Sequence, residues 1–412
     1  MTALRPSVIV VSRGRPRHLN RCLAGLAQLE FDIFEVVVVA DAESRAGLTG
    51  FEDRGIKVVP FEGANISAAR NRGIDVSGGE IVCFIDDDAI PEPYWLHHLT
   101  KPFSDPAVAA AGGYVLGRNG ISLQWGARMV FPDGGAVPLE MANDQPRVFP
   151  GTDGRAIKTE GANMAVRRDV LDRVERFDEA FHFYLDETDL NMRLAALGCK
   201  TAIVPLAQVH HRFAESPVRR FDRVPLTIFP LGRSQAIFVR KHDNEADPAV
   251  HFDDCFQVQR KRLLRMMRDG QMMPGDVGRL LRTFKLGWKE GMSASFGNRR
   301  PVFGRTPFQR FTRSKLDEHV SLYGRFWQKK RLKERSRELF NQGKRVTLFR
   351  FSYSMLNHRV YFDRFGVWNH VGGQFGKSDR TQRFFTFVSA KNRSKSELSR
   401  IKEVRGEARV MA

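Results

Sequence analysis

Short apolar runs punctuate the start of the chain: SVIVV from Ser7, FEVVVVA ending at Ala40, IKVVPF from Ile56, and IVCFI from Ile81 to Ile85. None alternates apolar with polar positions, so each reads as a central strand covered on both faces, the pattern of a parallel sheet. The connections read as helices. In PRHLNRCLAGLAQL, Leu19, Cys22, Leu23, Leu26 and Leu29 share one face, and Pro16 suits the first turn. Strand, helix and strand in that order form a βαβ unit, which closes right-handed with its strands parallel. ANISAARNRGIDV predicts a second helix from Ile66 or Ser67, stopped by Gly78-Gly79 before the run at Ile81. Beyond Asp88, PEPYWLHHLTKPF predicts a helix opened by proline, and Val108 to Gly117 predicts a strand. TEGANMAVRRDVLDRV predicts a turn, a short strand and a helix; LDETDLNMRLAALG predicts a helix ended by Gly198; CKTAIVPLAQVHHRF predicts a closing strand with His210 and His211 at its end. Residues 118–156 are rich in Gly, Pro and Asp with weak periodicity, which predicts a long irregular insertion of the kind that serves as a lid.

Past residue 245 the pattern changes. QVQRKRLLRMMRDG, PGDVGRLLRTFKLGWKEGM and YGRFWQKKRLKERSRELF place Leu, Met and Phe three or four residues apart with Arg and Lys between, which predicts helices. RVTLFRFSYSMLNHRVYFDRFGVWNHVGG crowds β-branched and aromatic residues and predicts strands or a hairpin. The charged tail from Lys391 is expected to fray. The chain therefore divides into an α/β domain of residues 1–245 and a basic, mainly helical α+β extension of residues 246–412.

Charge sharpens that division. The 412 residues carry a formal net charge of +19, and the excess of cations lies beyond residue 212, the preceding half being slightly acidic. The second half should therefore meet an anionic surface, such as lipid headgroups or an acidic polymer. Nucleic acid is not expected, because no recognition motif accompanies the aromatics. The four cysteines, Cys22, Cys83, Cys199 and Cys255, are widely spaced and form no CxxC pair, which suits a reduced compartment and no zinc site. The chain opens without an apolar segment of signal length, and nowhere do 18 apolar residues run together. A cytoplasmic location is expected, with room for a peripheral one on the inner face of the plasma membrane.

The chemistry concentrates at IDDDAIP. Ligands of open α/β sheets sit beyond the carboxyl ends of the strands, so Asp86, Asp87 and Asp88 face a crevice. Asp86 and Asp88 point the same way on extended backbone and could share one divalent cation, Asp87 turning aside. A solvated acidic turn accounts for the same three residues without any metal. A second acidic group, Asp186, Glu187 and Asp189, opens a helix, where simple capping is the competing account. No GxGxxG follows any of the strands, which disfavours a dinucleotide-binding dehydrogenase.

Taken together, SVIVVSRGRPRHLNRCLAGL, VVVVADAES, ANISAARNRGI, FIDDDAIP, GANMAVRRDVL, LDETDLNMRL and VPLAQVHHRF resemble, in order and spacing, the motifs of family-2 glycosyltransferases, inverting enzymes with a glycosyltransferase-A (GT-A) fold. The likeness covers roughly residues 5–243. It implies a GT-A sheet, mostly parallel and flanked by helices, and a sugar transferred from a nucleotide-diphosphate donor to a hydroxyl acceptor. The donor would be a UDP-, GDP- or dTDP-sugar and the acceptor a saccharide or lipid-linked sugar, in cell-surface polysaccharide or glycolipid synthesis. By this resemblance Mg²⁺ or Mn²⁺ would sit on Asp88 and Asp86, with His211 a further ligand and His210 its competitor. Ser12, Arg13, Asp41, Arg70, Asn71, Asp86 and Asp87 would bind the nucleotide. Gly161, Ala162, Asn163 and Asp189 would face the acceptor, and Glu187 or Asp186 would be the general base. Two departures stand out: Asp186-Glu187 where the family more often has Glu-Asp, and SRGRP where Thr-x-Asn-Arg is commoner. The Gln-x-x-Arg-Trp motif of processive synthases is absent, which implies transfer of one sugar at a time. A nucleotidyltransferase on a related sheet would normally carry a Gly-rich phosphate loop with a lysine. A non-catalytic sugar-nucleotide-binding or scaffold protein would be expected to have lost the carboxylates.

Overall fold

A computed structural model describes residues 4–212, 215–243, 247–297, 306–379 and 382–411. The expected α/β sheet is present. In spatial order its main path runs Arg147–Phe149, Lys200–His211, Val108–Leu116, Met164–Arg167, Ile81–Asp86, Pro6–Ser12, Glu35–Ala40 and Ile56–Pro60. The last four strands are mutually parallel, and Lys200–His211 is parallel to Val108–Leu116; the short Met164–Arg167 is antiparallel to both of its neighbours.

Both faces are covered, as the unbroken apolar runs require. Val8, Val10, Val36, Val38, Cys83 and Ile85 pack on one side against Leu19, Leu23 and Leu26 of helix Pro16–Leu26 and against Trp95 and Leu96. Ile9, Val37, Val39, Val82 and Phe84 pack on the other against Ile74, Leu171 and Leu190. The alternation is the two-residue period of a strand, here with apolar residues at both phases. Full burial of each such side chain stabilises the fold by roughly 1.5–3 kcal/mol.

The insertion is less irregular than its composition predicts. It holds short strands at Leu123–Trp125, Arg128–Val130 and Ala136–Pro138, and Arg128–Val130 joins Ala136–Pro138 and Ala156–Ile157 in a three-stranded sheet. Backbone pairing supplies there the order that side-chain periodicity does not announce.

The expected domain boundary at residues 245 and 246 lies outside the described residues. Helix Phe229–His242 packs directly on helix Pro274–Ser293, where a Cβ on Gly287 would come within 2.1 Å of the Phe229 carbonyl oxygen, so only glycine admits the contact. A second sheet follows, ordered Arg359–Phe362, Trp368–Gly373, Lys344–Ser352, Glu318–Arg325 and Arg409–Met411, all parallel except the hairpin partner Arg359–Phe362. Two expectations are corrected here. YGR, expected to open a helix, ends strand Glu318–Arg325; a 3-10 turn at Phe326–Gln328 then leads into helix Lys329–Asn341. The tail from Lys391 does not fray: Ala390–Arg405 is a helix and Arg409–Met411 a strand, with Val404 and Arg405 buried. The two sheets share an apolar contact in which Ile90 meets Val360, Phe362 and Trp368. Among the described residues no helix is long and apolar enough to cross a membrane.

Candidate active site

Sheet register builds the site. Val11 pairs with Asp86, which places the three carboxylates beside the loop after Ser12. The chain then turns into a short strand, Ala89–Pro91, antiparallel to the end of Lys200–His211, with His211 opposite Ala89. The Arg212 N–H donates to the Asp88 carbonyl at 3.1 Å and continues the ladder. His211 is thus brought to Asp88 by backbone pairing: its Nε2 lies 3.1 Å from Asp88 Oδ1 and 3.9 Å from Asp86 Oδ2. Its Nδ1 meets Gln124 Oε1 at 3.1 Å, and that amide oxygen can only accept, which leaves Nε2 without its own proton in neutral imidazole. A lone pair facing two carboxylates is repulsive unless a proton or a cation lies between them. Burial alone would lower the His211 pKa, but the charge and hydrogen bond of Asp88, with Asp86 beyond, carry it above its ordinary value. The ligand atoms of Asp86, Asp88 and His211 all lie within 4.8 Å of one another. Two hard oxygens and one imidazole nitrogen, the imidazole oriented by an outer amide, fit Mg²⁺ or Mn²⁺. His210, the competing ligand, points the other way: its Nε2 meets Glu92 Oε1 at 2.8 Å.

Asp87 turns aside, as strand alternation predicts, and is fully buried. Ser12 Oγ donates to it at 2.7 Å and Arg15 Nη2 lies 2.6 Å away, with Arg15 Nη1 3.7 Å from Asp88. Burial pushes Asp87 up to about 7 against the pull of Arg15. Asp41 caps helix Ala42–Ala46 through the Ser44 N–H and also accepts from the Gly14 N–H, which joins the ends of the first two strands.

The second acidic group comes to the same rim. Helix Ile66–Val76 is tied to the segment before Asp186 by Ser67 Oγ donating to the Phe181 carbonyl and the Ile66 N–H donating to the His182 carbonyl. Arg70, buried on that helix, spans the two carboxylate groups: one guanidinium nitrogen is hydrogen-bonded to Asp186 and the other lies 3.5 Å from Asp86. A Cβ on Gly161 would stand 2.3 Å from Arg70 Nη2, so the guanidinium occupies the space a side chain there would fill. Tyr184 and Leu185, immediately before the acid pair, both have positive φ, 69° and 62°, backbone strain of the kind held at functional sites. Glu187 meets Lys158 Nζ at 2.9 Å. Burial alone would raise its pKa, yet the Lys158 ammonium and its hydrogen bond, with Arg70 beyond, hold it at about 2. Burial and the neighbouring Glu187 push Asp186 up to about 7 although Arg70 pulls it down.

A cavity of about 1700 Å³ lies between the two groups, lined among others by Ser12, Arg13, Asp41, Arg70, Asp86, Asp88, Gly161, Ala162, Asp186, Glu187 and His211. Besides His210, four residues singled out from the sequence do not line it. Asp87 sits behind Ser12 and Arg15. Asn71 holds the Phe177 carbonyl and Glu179, each at 2.9 Å. Asn163 accepts from Trp95 Nε1 at 2.7 Å and donates to the Tyr114 and Ala207 carbonyls. Asp189 is enclosed by Arg193, Lys241 and His242, and they hold its pKa well below the ordinary range against the effect of burial. Conversely, Arg15, Trp125, Arg128 and Lys158 line the cavity and were not singled out. Only Arg15 had a signal, the arginine-rich SRGRPR loop.

The mostly parallel sheet, flanked by helices, is the GT-A-like arrangement that the sequence motifs imply. Residues 7–174 match the family model of glycosyl transferase family 2. Asp186, Glu187 and His211 lie beyond the matched segment. The chain is 26% identical over 230 residues to the O-antigen biosynthesis protein RfbC of Myxococcus xanthus, covering 53% of this chain and 18% of that one. It is 28% identical over 181 residues to the pre-mycofactocin glycosyltransferase of Mycobacterium tuberculosis, covering 44% of this chain and 36% of the relative. The chain thus spans about a third or less of the length of these relatives. The solved structure of S. aureus TarS is 18% identical with a TM-score of 0.39, over 64% of this chain and 43% of that one.

Proposed function

We propose that residues 1–245 form the catalytic domain of a metal-dependent, inverting glycosyltransferase that moves one sugar at a time from a nucleoside-diphosphate donor to a hydroxyl acceptor, and that residues 246–412 are its basic extension. One observation carries this reading: Arg70 lies between Asp86 and Asp186, so two acidic groups distant in sequence face the same cavity. The acceptor class that fits a cavity of this size and polarity is a saccharide, free or lipid-linked, of a cell-surface polysaccharide or glycolipid.

Asp88, Asp86 and His211 would hold Mg²⁺ or Mn²⁺, which when bound supplies charge neutralisation at the diphosphate. The chain's own cations serve the same end. Arg13 and Arg15 flank the carboxylate strand and Arg70 the acid pair, so a departing diphosphate meets positive charge before it meets water. Ser12 and Asp41 border the nucleotide side of the cavity. Glu187 takes the acceptor hydroxyl's proton as the oxygen attacks the anomeric carbon from the face opposite the leaving group, and the configuration inverts. Lys158 keeps Glu187 ionised at neutral pH, so the base is ready without prior deprotonation. Gly161 and Ala162 leave room for the acceptor beside it.

The test is incubation with a panel of nucleotide sugars, watching for slow donor hydrolysis, followed by Glu187→Gln on the donor that responds. Turnover should fall by about 10²- to 10⁴-fold while donor binding persists. Near-normal turnover in E187Q would move the base to Asp186; no hydrolysis or transfer with any donor would overturn the reading.

A further inference from the structure

Away from this cavity, the carboxyl-end rim of the second sheet exposes large apolar side chains from three separate segments: Trp327 is 69% exposed, Leu356 65%, Phe384 65% and Phe387 85%. Ring contacts join Trp327 and Phe387 into one surface. Tyr353 carries the Arg325 guanidinium 3.8 Å from its ring centre and stacks on Trp327 at 6.0 Å. Phe375 stands 6.5 Å from Tyr353, stacks flat on Phe387 at 5.6 Å and touches Phe385 at 5.5 Å. The Gly373 N–H donates to the Leu356 carbonyl at 2.9 Å and fixes the middle loop to the sheet. We propose that this rim is the surface by which the protein lies on an anionic lipid bilayer.

Contiguous exposed apolar surface of this kind marks a partner, and the surrounding charge says which. Segments 325–331, 353–359 and 382–391 contain no Asp or Glu. Lys329, Lys330 and Arg331 follow Trp327 directly, and Arg383 and Lys391 flank the phenylalanine-rich loop. A cleft of about 630 Å³ opens on the same turn, lined by Arg325, Arg331 and Arg335 together with Glu334 and Glu338, so its cations are in part balanced and the lysines and arginines outside it carry the attraction. Tryptophan and tyrosine belong at the headgroup level, phenylalanine and leucine just below it, and Lys and Arg against anionic headgroups. A second copy of the chain would bring two sets of cations face to face, which is repulsive. A saccharide is a poorer fit, because the rings stack on one another and the phenylalanine and leucine tips offer no hydrogen bonds. With no helix able to span a bilayer among the described residues, the attachment is interfacial.

This inference locates the membrane contact expected from the basic second half and uses no step of sugar transfer, so E187Q should bind vesicles as the wild type does even if no donor is ever found. The full chain is sedimented with phosphatidylcholine vesicles, with and without a third of phosphatidylglycerol. Binding should require the anionic lipid and be released by high salt. Trp327→Ala with Phe387→Ala should weaken it about 10-fold or more, and Lys329→Glu, Lys330→Glu and Arg331→Glu together roughly 100-fold. All these positions are exposed, and circular dichroism confirms that each variant is folded. The proposal fails if the wild type stays in solution with anionic vesicles, pellets equally with neutral ones, or binds no better than the folded variants. It also fails if light scattering shows a wild-type dimer that W327A/F387A dissolves, which would assign the rim to a second copy.

Discussion

Arg405→Ala should destabilise the first sheet as well as the C-terminal helix on which the residue stands. Arg405 is fully buried; its Nε and Nη2 donate to the two Glu92 oxygens at 2.8 and 2.5 Å, its Nη1 donates to His370 Nε2 at 3.0 Å, and its guanidinium lies 4.0 Å from the Trp368 ring centre. Glu92 is buried as well and also meets His210. Truncation leaves that carboxylate facing one histidine. Breaking a buried pair from one side costs about 3–5 kcal/mol, and losing the contact with the Trp368 face adds about 1 kcal/mol. The sum is a large part of the 5–15 kcal/mol typical of a folded chain. The assay is guanidinium chloride unfolding followed by tryptophan fluorescence, for Arg405→Ala, Glu92→Leu and the double variant Glu92→Leu/Arg405→Met. Removing both charges should restore most of the loss, because no buried charge is then left unpaired. A pH series gives an independent check. Burial alone would raise the Glu92 pKa, but Arg405 and His210 lower it from 4.5 to about 2. A lowered carboxyl stabilises the fold above its unfolded value and ceases to do so as pH falls through the folded one. The wild type should therefore lose roughly 3 kcal/mol between pH 4.5 and 2 that the double variant does not lose. A cost below about 1 kcal/mol for Arg405→Ala, the size expected of a surface pair, would refute the reasoning, as would identical acid curves for wild type and double variant.

Lys158→Met removes the main influence that lowers the Glu187 pKa, so that pKa should rise and the acid limb of the kcat/KM profile should move to higher pH; an unmoved limb would detach Glu187 from the rate. Gly161→Ala forces Arg70 out of its place and should cost about 10²-fold in kcat/KM, the scale of a misplacement of about 1 Å, and should lower the thermal midpoint as the buried pair with Asp186 is disturbed; an unchanged kcat/KM would detach the placement of Arg70 from the rate. EDTA should abolish transfer, and Mg²⁺ or Mn²⁺ should restore it. His211→Ala should raise the metal concentration needed by about 10- to 100-fold; full activity in chelator would remove the metal from Asp86, Asp88 and His211.

The first sheet is legible because its signal is local: runs such as VVVV at Val36–Val39 have one reading, and the helices between them carry start signals in plain sequence, Pro16 for the one and Asn65 for the other. The acidic groups are legible for the same reason, each standing at the end of a recognisable element. What the sequence hides is pairing at a distance. Lys158 follows directly on an aperiodic insertion and acquires a meaning only once Glu187 is placed beside it. Asn71, Asn163 and Asp189 have the residue types of ligands and serve as buried struts, a difference that only coordinates expose. In the C-terminal half, helix Ala390–Arg405 reads as a solvated tail because Arg and Lys dominate it, and Arg405 is buried by a carboxylate 313 residues away. Strand Glu318–Arg325 is hidden by the basic helix that follows it, which extends a helical spacing backward over YGR.

The two adjacent histidines at the end of strand Lys200–His211 tie these levels together. Successive residues of a strand face opposite sides, so a single strand end serves two neighbourhoods. His211 reaches Asp88 and the cavity; His210 reaches Glu92, and its ring lies 5.0 Å from that of Trp368 in the second sheet. Glu92 is fixed to the same strand by its N–H donating to the Gln208 carbonyl at 3.0 Å. The wall that aims His211 at the carboxylates is therefore packed from behind by the basic half of the chain, through the buried charges of Glu92 and Arg405. Loosening that contact frees the strand end one residue from His211, which makes the C-terminal half part of the geometry of the site even though none of its described residues beyond Glu290 lines the cavity.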